Sequence, residues 1–489
     1  MFSKPPLDAR TKARASAGLD SILRNTAYLS LARAVTVAAR LAYVLLVARL
    51  LGPELYGLFN YGLSWYLLFV PLSVLGLDFL LLREIGRQRA ARREIVQVSL
   101  AMRGFSSLLV ASVCLTLGWW VEEEPLTRTL LLVFSIALLG RGLSSWANAV
   151  FKGHEASGYV LGQELTFRML EIAAGVALLV AGQGLVALAA VHAAAWLAQG
   201  LVGVSLIRRI FEPGLEPRWA LAEMGRLIRD GLPFLAAAFL LAWLMQGPLI
   251  LYRHLGGESA GLGQLALALQ VFVILGSILA ELGFAALPVL ARAAERQDGK
   301  TVVFMDVVLR TGWVMVGGLG VGGLALGPWI VCWLFGPAYV GVGDLVPWTL
   351  LLVGPYFWAS SLRSVLAAHG RYWAVAATAF VGAAVFTTLF PVLVSYCAMP
   401  GAVFATGAGL VAVVISQLWH LRSIGSLNLE RACGRPALVA SAGIGVCVLL
   451  LSAGPLAALL GGLSVLVGGF FWSGTVPWGQ LARILNVVR

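Results

Sequence analysis

At 489 residues, with 60% hydrophobic and 12% charged residues and a mean hydropathy of +0.89, the chain is excluded from the soluble globular class, whose apolar share is nearer half and whose charged share is about a quarter. A formal net charge of +12 raises nucleic acid as a partner, so the placement of the basic residues decides that question. The five cysteines, Cys114, Cys332, Cys397, Cys433 and Cys447, show no paired spacing, which excludes a disulfide framework or thiolate metal site and leaves them as small packing residues.

Residues 1–27 are polar and basic and lack a small-residue cleavage site after a short apolar core; they read as a cytoplasmic leader and not as a removable signal. Apolar runs of about 20 residues, each long enough to cross a bilayer, follow near 28–50, 57–81, 99–120, 126–150, 160–181, 185–207, 231–252, 262–288, 302–333, 345–367, 373–397, 402–421, 437–453 and 456–472. The expectation is an all-α integral membrane protein of about 14 transmembrane helices. Its parts are an N-terminal six-helix bundle over 28–207, a cytoplasmic interfacial linker over 208–230, a C-terminal six-helix bundle over 231–421, two extra helices within 437–472 and a cytoplasmic tail over 473–489.

The bundles look like copies of one another. Arg49-Leu-Leu-Gly-Pro-Glu-Leu-Tyr-Gly-Leu58 after the first span recurs as Arg253-His-Leu-Gly-Gly-Glu-Ser-Ala-Gly-Leu262 after the seventh, with Arg, Leu, Gly, Glu, Gly and Leu matched at a constant offset. Such a recurrence is the mark of a duplicated membrane bundle.

Most Lys and Arg residues fall in the leader, the tail and every second loop, whereas the opposite loops hold only Arg49, Arg128 and Arg253. That asymmetry is the positive-inside rule, so both termini are expected in the cytoplasm and the basic excess needs no nucleic acid. Glu122-Glu123-Glu124 falls outside, beside Trp119 and Trp120. In the linker, Leu221, Met224, Leu227 and Ile228 form one helical stripe against Arg218, Glu223, Arg226 and Arg229, the pattern of a helix lying on the inner membrane surface or of a solvated connector. The outer loops are all short, which argues against lipid-linked glycosyltransferases and polymerases.

Seven arginines remain within or at the rims of spans: Arg33, Arg40, Arg103, Arg141, Arg168, Arg310 and Arg363. An arginine near mid-bilayer costs a few kcal/mol and is kept where it faces protein or a wet cavity. Arg103, Arg141, Arg310 and Arg363 lie near the cytoplasmic rim or within snorkelling reach of it. Arg33 and Arg40 lie two turns apart on one face with Ser30 and Thr36 near the stripe, and the equivalent positions of the second copy are Ala237 and Leu244. The stripe is either helix-packing glue or a ligand for an anion. In the fifth span Glu164, Arg168 and Glu171 follow i, i+4, i+7 spacing, an ion pair with one carboxylate left over. Asp78 and Glu281 are further isolated acids. Each acid either binds a coupling proton, its pKa raised in a low-dielectric cavity, or neutralises a neighbouring arginine.

Other signals carry no chemistry. Gly299-Lys300-Thr301 ends like a P-loop, but Ala294 stands where the motif requires Gly. His154, His192, His254, His369 and His420 have no ligand spacing, and His192 reads as a core residue. The ninth span carries Gly317, Gly318, Gly320, Gly322, Gly323 and Gly327, which suits close packing.

Ala48-Arg49-Leu50-Leu51-Gly52-Pro53-Glu54-Leu55-Tyr56-Gly57, Leu75-Gly76-Leu77, Leu334-Phe335-Gly336-Pro337-Ala338-Tyr339 and Ala367-Ala368-His369-Gly370-Arg371 together resemble the polysaccharide flippases. These are lipid-linked oligosaccharide transporters of the same superfamily as the MATE drug exporters, the multidrug/oligosaccharidyl-lipid/polysaccharide (MOP) exporters. The second copy departs from the family pattern at Leu262 and Gly263, where an aromatic is common, and at Tyr252-Arg253, where an acid often ends the span. The resemblance implies two pseudo-symmetric six-helix bundles around a central cavity, alternating access, and a polyprenyl-pyrophosphate-linked glycan carried from the inner to the outer leaflet of a bacterial inner membrane. It implies no catalytic residues, no cofactor beyond a coupling ion (H+ or Na+), and membrane lipids and the glycan polymerase machinery as partners. Under it, Arg33 and Arg40 become headgroup ligands, with Arg49 and Arg253 near the outer ends, while Asp78, Glu164, Arg168, Glu171 and Glu281 couple ions or balance charge. A MATE-like antiporter is the alternative, although its cavity would be led by carboxylates. A major-facilitator transporter is disfavoured, because Leu82-Arg83-Glu84-Ile85-Gly86-Arg87 lacks the Asp-Arg-x-Gly-Arg loop and fourteen spans exceed twelve. A membrane assembly partner without transport is the reading from a different class.

Overall fold

Inside a bilayer a chain must satisfy its own backbone hydrogen bonds, and long runs of Leu, Ala, Val and Gly do so as helices. The computed structural model describes residues 9–87, 92–285, 290, 292–294, 299–425 and 427–475, and among the described residues every regular element is helical. In chain order the helices are α1 (Ala9–Val74), α2 (Leu77–Arg87), α3 (Arg92–Val121), α4 (Pro125–Gly153), α5 (Ser157–Val180), α6 (Leu185–Leu206), α7 (Leu221–His254) and α8 (Ser259–Ala285). They continue with α9 (Lys300–Phe335), α10 (Val340–Leu351), α11 (Val353–Ala368), α12 (Tyr372–Leu421), α13 (Arg435–Leu450) and α14 (Pro455–Trp472).

Eleven segments among the described residues are long and apolar enough to cross a membrane. The difference from the expected fourteen has two causes. Helices α1 and α12 each hold two expected spans, joined through a single non-helical residue, Gly52 (φ 70°) and Ala398 (φ 52°). Helix α5 does not meet the apolar criterion, since Glu164, Arg168 and Glu171 lie within it. The linker also differs from expectation. Helix α7 runs unbroken from Leu221 to His254, so Leu221–Asp230 form its first turns and not a separate surface helix. The turns are amphipathic because Leu227 packs into the protein core while Leu221 and Ile228 stay exposed.

Packing divides the chain into two units, Met1–Val44 with Phe69–Leu235, and Leu45–Leu68 with Ala236–Arg489. The first unit has a core of Leu77, Leu80, Leu81 and Ile85 from α2, Ile95, Val96 and Val98 from α3, and Trp146, Val150 and Phe151 from α4. The Trp146 indole donates to Ser99 Oγ at 2.9 Å, so this large ring brings its polar atom into the core already satisfied.

In the second unit the two copies of the repeated turn lie against each other. Gly52 and Gly256, matched positions of the repeat, both adopt left-handed backbone (φ 70° and 85°), which a glycine reaches without a Cβ penalty. Beyond them, a Cβ at Gly263 would lie 1.9 Å from the Pro53 carbonyl oxygen, and one at Gly57 would lie 2.5 Å from that of Ser259. The glycine at 263 is therefore what lets α1 and α8 touch backbone to backbone. Helix α9 presents Gly317, Gly320 and Gly323 at three-residue spacing to Leu466, to Ile444 and Leu351, and to Leu350 and Pro347. The C-terminal pair α13 and α14 docks there around Val321, Ala440, Cys447 and Leu466. Gly317, Gly320 and Gly323 thus serve close packing, as small residues do where lipid offers no hydrophobic drive between helices, whereas Gly318 and Gly322 face open space.

Candidate functional site: a buried charge network in the first unit

Helices α4 and α6 cross at Gly140 and Gly200, where a Cβ on Gly200 would lie 2.7 Å from the Gly140 carbonyl oxygen. The crossing sets Arg141 beside Trp196, with the guanidinium carbon 4.1 Å from the ring centroid. Arg168 of α5 stacks on the same indole, also at 4.1 Å. A tryptophan face attracts a desolvated cation by about 2 kcal/mol, and this one serves two.

The carboxylates complete the network. Arg168 donates through Nη1 to Glu171, whose other oxygen lies 2.5 Å from His192 Nδ1. Glu171 is therefore held by a cation and an imidazole and has no oxygen left open. Gln199 bridges the remaining members: its Nε2 donates to Glu164 Oε1 at 3.2 Å, while Arg168 Nη2 reaches its Oε1 at 3.5 Å. Glu164 stays 4.0 Å from Arg168 Nε, so its tie to the arginine is the looser one. Phe134 and Trp196 pack on His192 at centroid distances of 5.6 and 6.3 Å. Placing Arg168 among apolar helices would cost a few kcal/mol if it were alone; two carboxylates, an amide and an aromatic face offset that cost.

The i, i+4, i+7 pattern on α5 is thus a real cluster, but its leftover carboxylate is not left over. His192, read from the sequence as a core residue, is what meets it. Gln199 and Trp196 escaped the sequence reading as well. The signal was present, since His192, Trp196 and Gln199 recur at i, i+4 and i+7 on α6, the same period as the charges on α5.

A second pair joins α2 to α3. Arg103 is completely enclosed and donates to Asp78 Oδ1 at 2.6 Å and to the Ser73 carbonyl at 3.3 Å. Ser145 donates to the other Asp78 oxygen at 2.5 Å. The Ser73 carbonyl belongs to the last turn of α1, where helices leave acceptors open, and Ser106 Oγ also donates to it at 2.9 Å. Asp78 thus balances Arg103, which does not snorkel to the rim. Arg310 of α9 likewise pairs with Asp306, one turn earlier, at 2.8 Å.

Of the arginines expected to meet a headgroup, Arg40 is half-buried on α1, and the Arg33 side chain lies outside the described residues, as does that of Glu281. Arg49 donates to the Trp333 carbonyl at 2.8 Å at the end of α9, and Tyr339 Oη donates to the neighbouring Ala48 carbonyl at 2.9 Å. Arg253 reaches across its own turn to Ser259 Oγ at 3.3 Å. The two repeat arginines therefore tie down the turns that carry them. No cluster of His, Cys, Asp and Glu among the described residues has the form of a metal site.

The family model for polysaccharide biosynthesis proteins matches residues 22–294. No curated protein matches the chain by sequence. Among solved structures it is similar to the lipid II flippase MurJ in an inward closed conformation, at 14% identity, with 94% of this chain and 100% of that one covered and a TM-score of 0.66. It is also similar to an inward-facing multidrug resistance MATE family transporter of the MOP superfamily (13% identity, 82% and 98% covered, TM-score 0.61), and to the eukaryotic MATE transporter AtDTX14 (16%, 86% and 100%, 0.57). The fold is that of MOP transporters, and the chain is a multi-pass membrane protein.

Proposed function

Since the chain belongs to the polysaccharide biosynthesis protein family, a membrane transporter or flippase of the MOP superfamily, we propose that it moves a polyprenyl-pyrophosphate-linked oligosaccharide from the inner to the outer leaflet by alternating access. The family match carries this reading. The stripe of Arg33 and Arg40 on α1, with Ala237 and Leu244 at the equivalent positions of the second copy, supports it, because a pyrophosphate headgroup crossing the bilayer core needs cations to replace its counterions and water. Arg33 and Arg40 are the headgroup ligands in this proposal, and Arg49 and Arg253 act at the outer ends of the path. Asp78 and Glu171, each already engaged by a guanidinium, balance charge. Glu164, held by an amide and only distantly by Arg168, is the carboxylate that exchanges a coupling proton with the least loss of pairing. The protein works without a catalytic step, in the inner membrane of a bacterium, with both termini cytoplasmic and the polymerase machinery as its downstream partner.

The test is reconstitution in liposomes, following exposure of a fluorescent polyprenyl-pyrophosphate oligosaccharide. Wild type is expected to translocate it. An Arg33→Ala, Arg40→Ala variant of equal insertion and thermal stability is expected to lose translocation, and Glu164→Gln to lose its dependence on a pH gradient. Equal translocation by the double variant would make those arginines structural. Export of a cationic drug without lipid movement would establish the MATE-like reading, which the similarity to MATE structures keeps in view.

A further inference from the structure

The link between α6 and α7 is strapped to the first unit. After Leu206 the chain makes one wide π turn, Ile207–Phe211, and the strap that it begins is held at four points. Phe211 packs edge-on against Phe151, His154 and Tyr159 at centroid distances of 5.6, 5.2 and 5.3 Å. Arg93 of α3 donates to the Pro213 and Gly214 carbonyls at 3.0 and 3.1 Å. Leu215 is buried in the core of the first unit. The fourth point is Glu212, whose Oε1 lies 3.6 Å from His154 Nε2, with only 12% and 9% of the two side chains exposed.

The tautomer of His154 decides what this last contact is. Its Nδ1 lies 3.0 Å from the Val150 carbonyl oxygen, which can only accept, so Nδ1 carries a proton. In the neutral ring Nε2 is then a bare acceptor facing a carboxylate oxygen, and the two repel. In the imidazolium both ring nitrogens donate, and Nε2 attracts Glu212. His369 and His420 also turn Nδ1 to the carbonyl four residues back, but of the three only His154 meets a carboxylate among the described residues. Glu212 in turn requires a cation, because a carboxylate this enclosed is costly unless it is paired. The other charges on the surrounding elements are committed or solvated. Arg93 holds the carbonyls named above, Arg208 donates to that of Leu215, and Arg83 pairs with Glu84. Lys152, Glu155 and Arg209 are exposed, and Tyr159 packs on Phe151 and Phe211.

We propose that His154 and Glu212 form a proton-operated catch on the link between α6 and α7, closed when His154 is an imidazolium and released when the ring loses its proton. The strap leads into α7, whose later part belongs to the second unit, so the catch sets how freely α7 is tethered to the first. It lies beside Lys152, on the side proposed to be cytoplasmic, where a rise in pH frees the link. An imidazole changes its charge between about pH 5 and 8, which fixes the range in which the catch works. Neither cargo nor transport enters this reading.

The experiment is hydrogen exchange of the full chain in detergent micelles, read by mass spectrometry over residues 207–215 and normalised to the exchange of an unstructured peptide at each pH. Wild type is expected to lose protection about three-fold or more between about pH 6 and 8, while α4 keeps its own. Glu212→Gln is nearly isosteric, and its amide both accepts from the charged ring and donates to the neutral one, so the strap should stay protected at both pH values. His154→Phe keeps the packing on Phe211 but leaves Glu212 unpaired, and should be poorly protected at both. If His154→Phe does not fold, Glu212→Gln alone decides. The proposal is overturned if wild-type protection of the strap is the same at both pH values, or if Glu212→Gln keeps the wild-type ratio.

Discussion

Arg103 has no exposed side-chain surface, while Asp78 keeps 41% of its own, so the two ends of this ion pair are not equivalent. Asp78→Asn strands a charge that cannot neutralise itself, and we expect a loss of about 3 kcal/mol, the low end for breaking a buried pair. Adding Arg103→Met should restore most of it; thermal unfolding in detergent compares the two variants. Ala398 poses the opposite case. Its φ of 52° and ψ of −131° fall in a region that suits glycine, and strain of this kind costs on the order of 1–3 kcal/mol. Ala398→Gly should therefore stabilise the protein by about 1 kcal/mol after the added freedom of the unfolded chain is subtracted, seen as a higher melting temperature. At this scale the sequence was legible where a period within one helix carries the pattern, as with Glu164, Arg168 and Glu171. It was not legible where two helices must meet. Nothing in the spacing of Asp78 and Arg103, or of Glu171 and His192 twenty-one residues on, says that their helices pack at those heights.

Helices in this protein are distinguished less by their apolar content than by where their small residues fall. Gly263 meets the Pro53 carbonyl, while Gly318 on α9 has nothing within 4 Å of a Cβ position. Gly263→Ala should consequently cost about 1–3 kcal/mol, because the clash is with backbone that has no rotamer to change. Gly318→Ala should be neutral or gain up to about 1 kcal/mol from helix propensity. Melting curves of the two variants check the contrast. The repeat of Arg49–Leu58 in Arg253–Leu262 pointed to a duplicated turn, and the shared left-handed glycines show why the duplication could be read: a backbone requirement leaves a residue-type signature. The continuity of α7 left none, since an amphipathic start to a long helix and a separate surface helix share one period.

The proposed orientation makes a prediction for the whole molecule. Cys397 is exposed beside the Ala398 turn, and Cys433 lies half-buried in the segment before α13. With both termini cytoplasmic, a membrane-impermeant maleimide added to intact cells should label a variant retaining only Cys397 and spare one retaining only Cys433, with the pattern reversed in inverted vesicles. The opposite labelling would invert the topology.

The division of α1 has a further consequence. Its stretch Leu45–Leu68 belongs to the unit otherwise formed by Ala236–Arg489, so the polypeptide changes allegiance at residue 44, again at 68 and finally at 235. A cut in the link after α6 would not release two self-sufficient halves, because the later fragment would lack a helix that only the earlier one encodes. During synthesis that stretch emerges long before its partners, among them His254, Gly263, Trp333 and Tyr339, and must wait in the bilayer until they arrive to claim it.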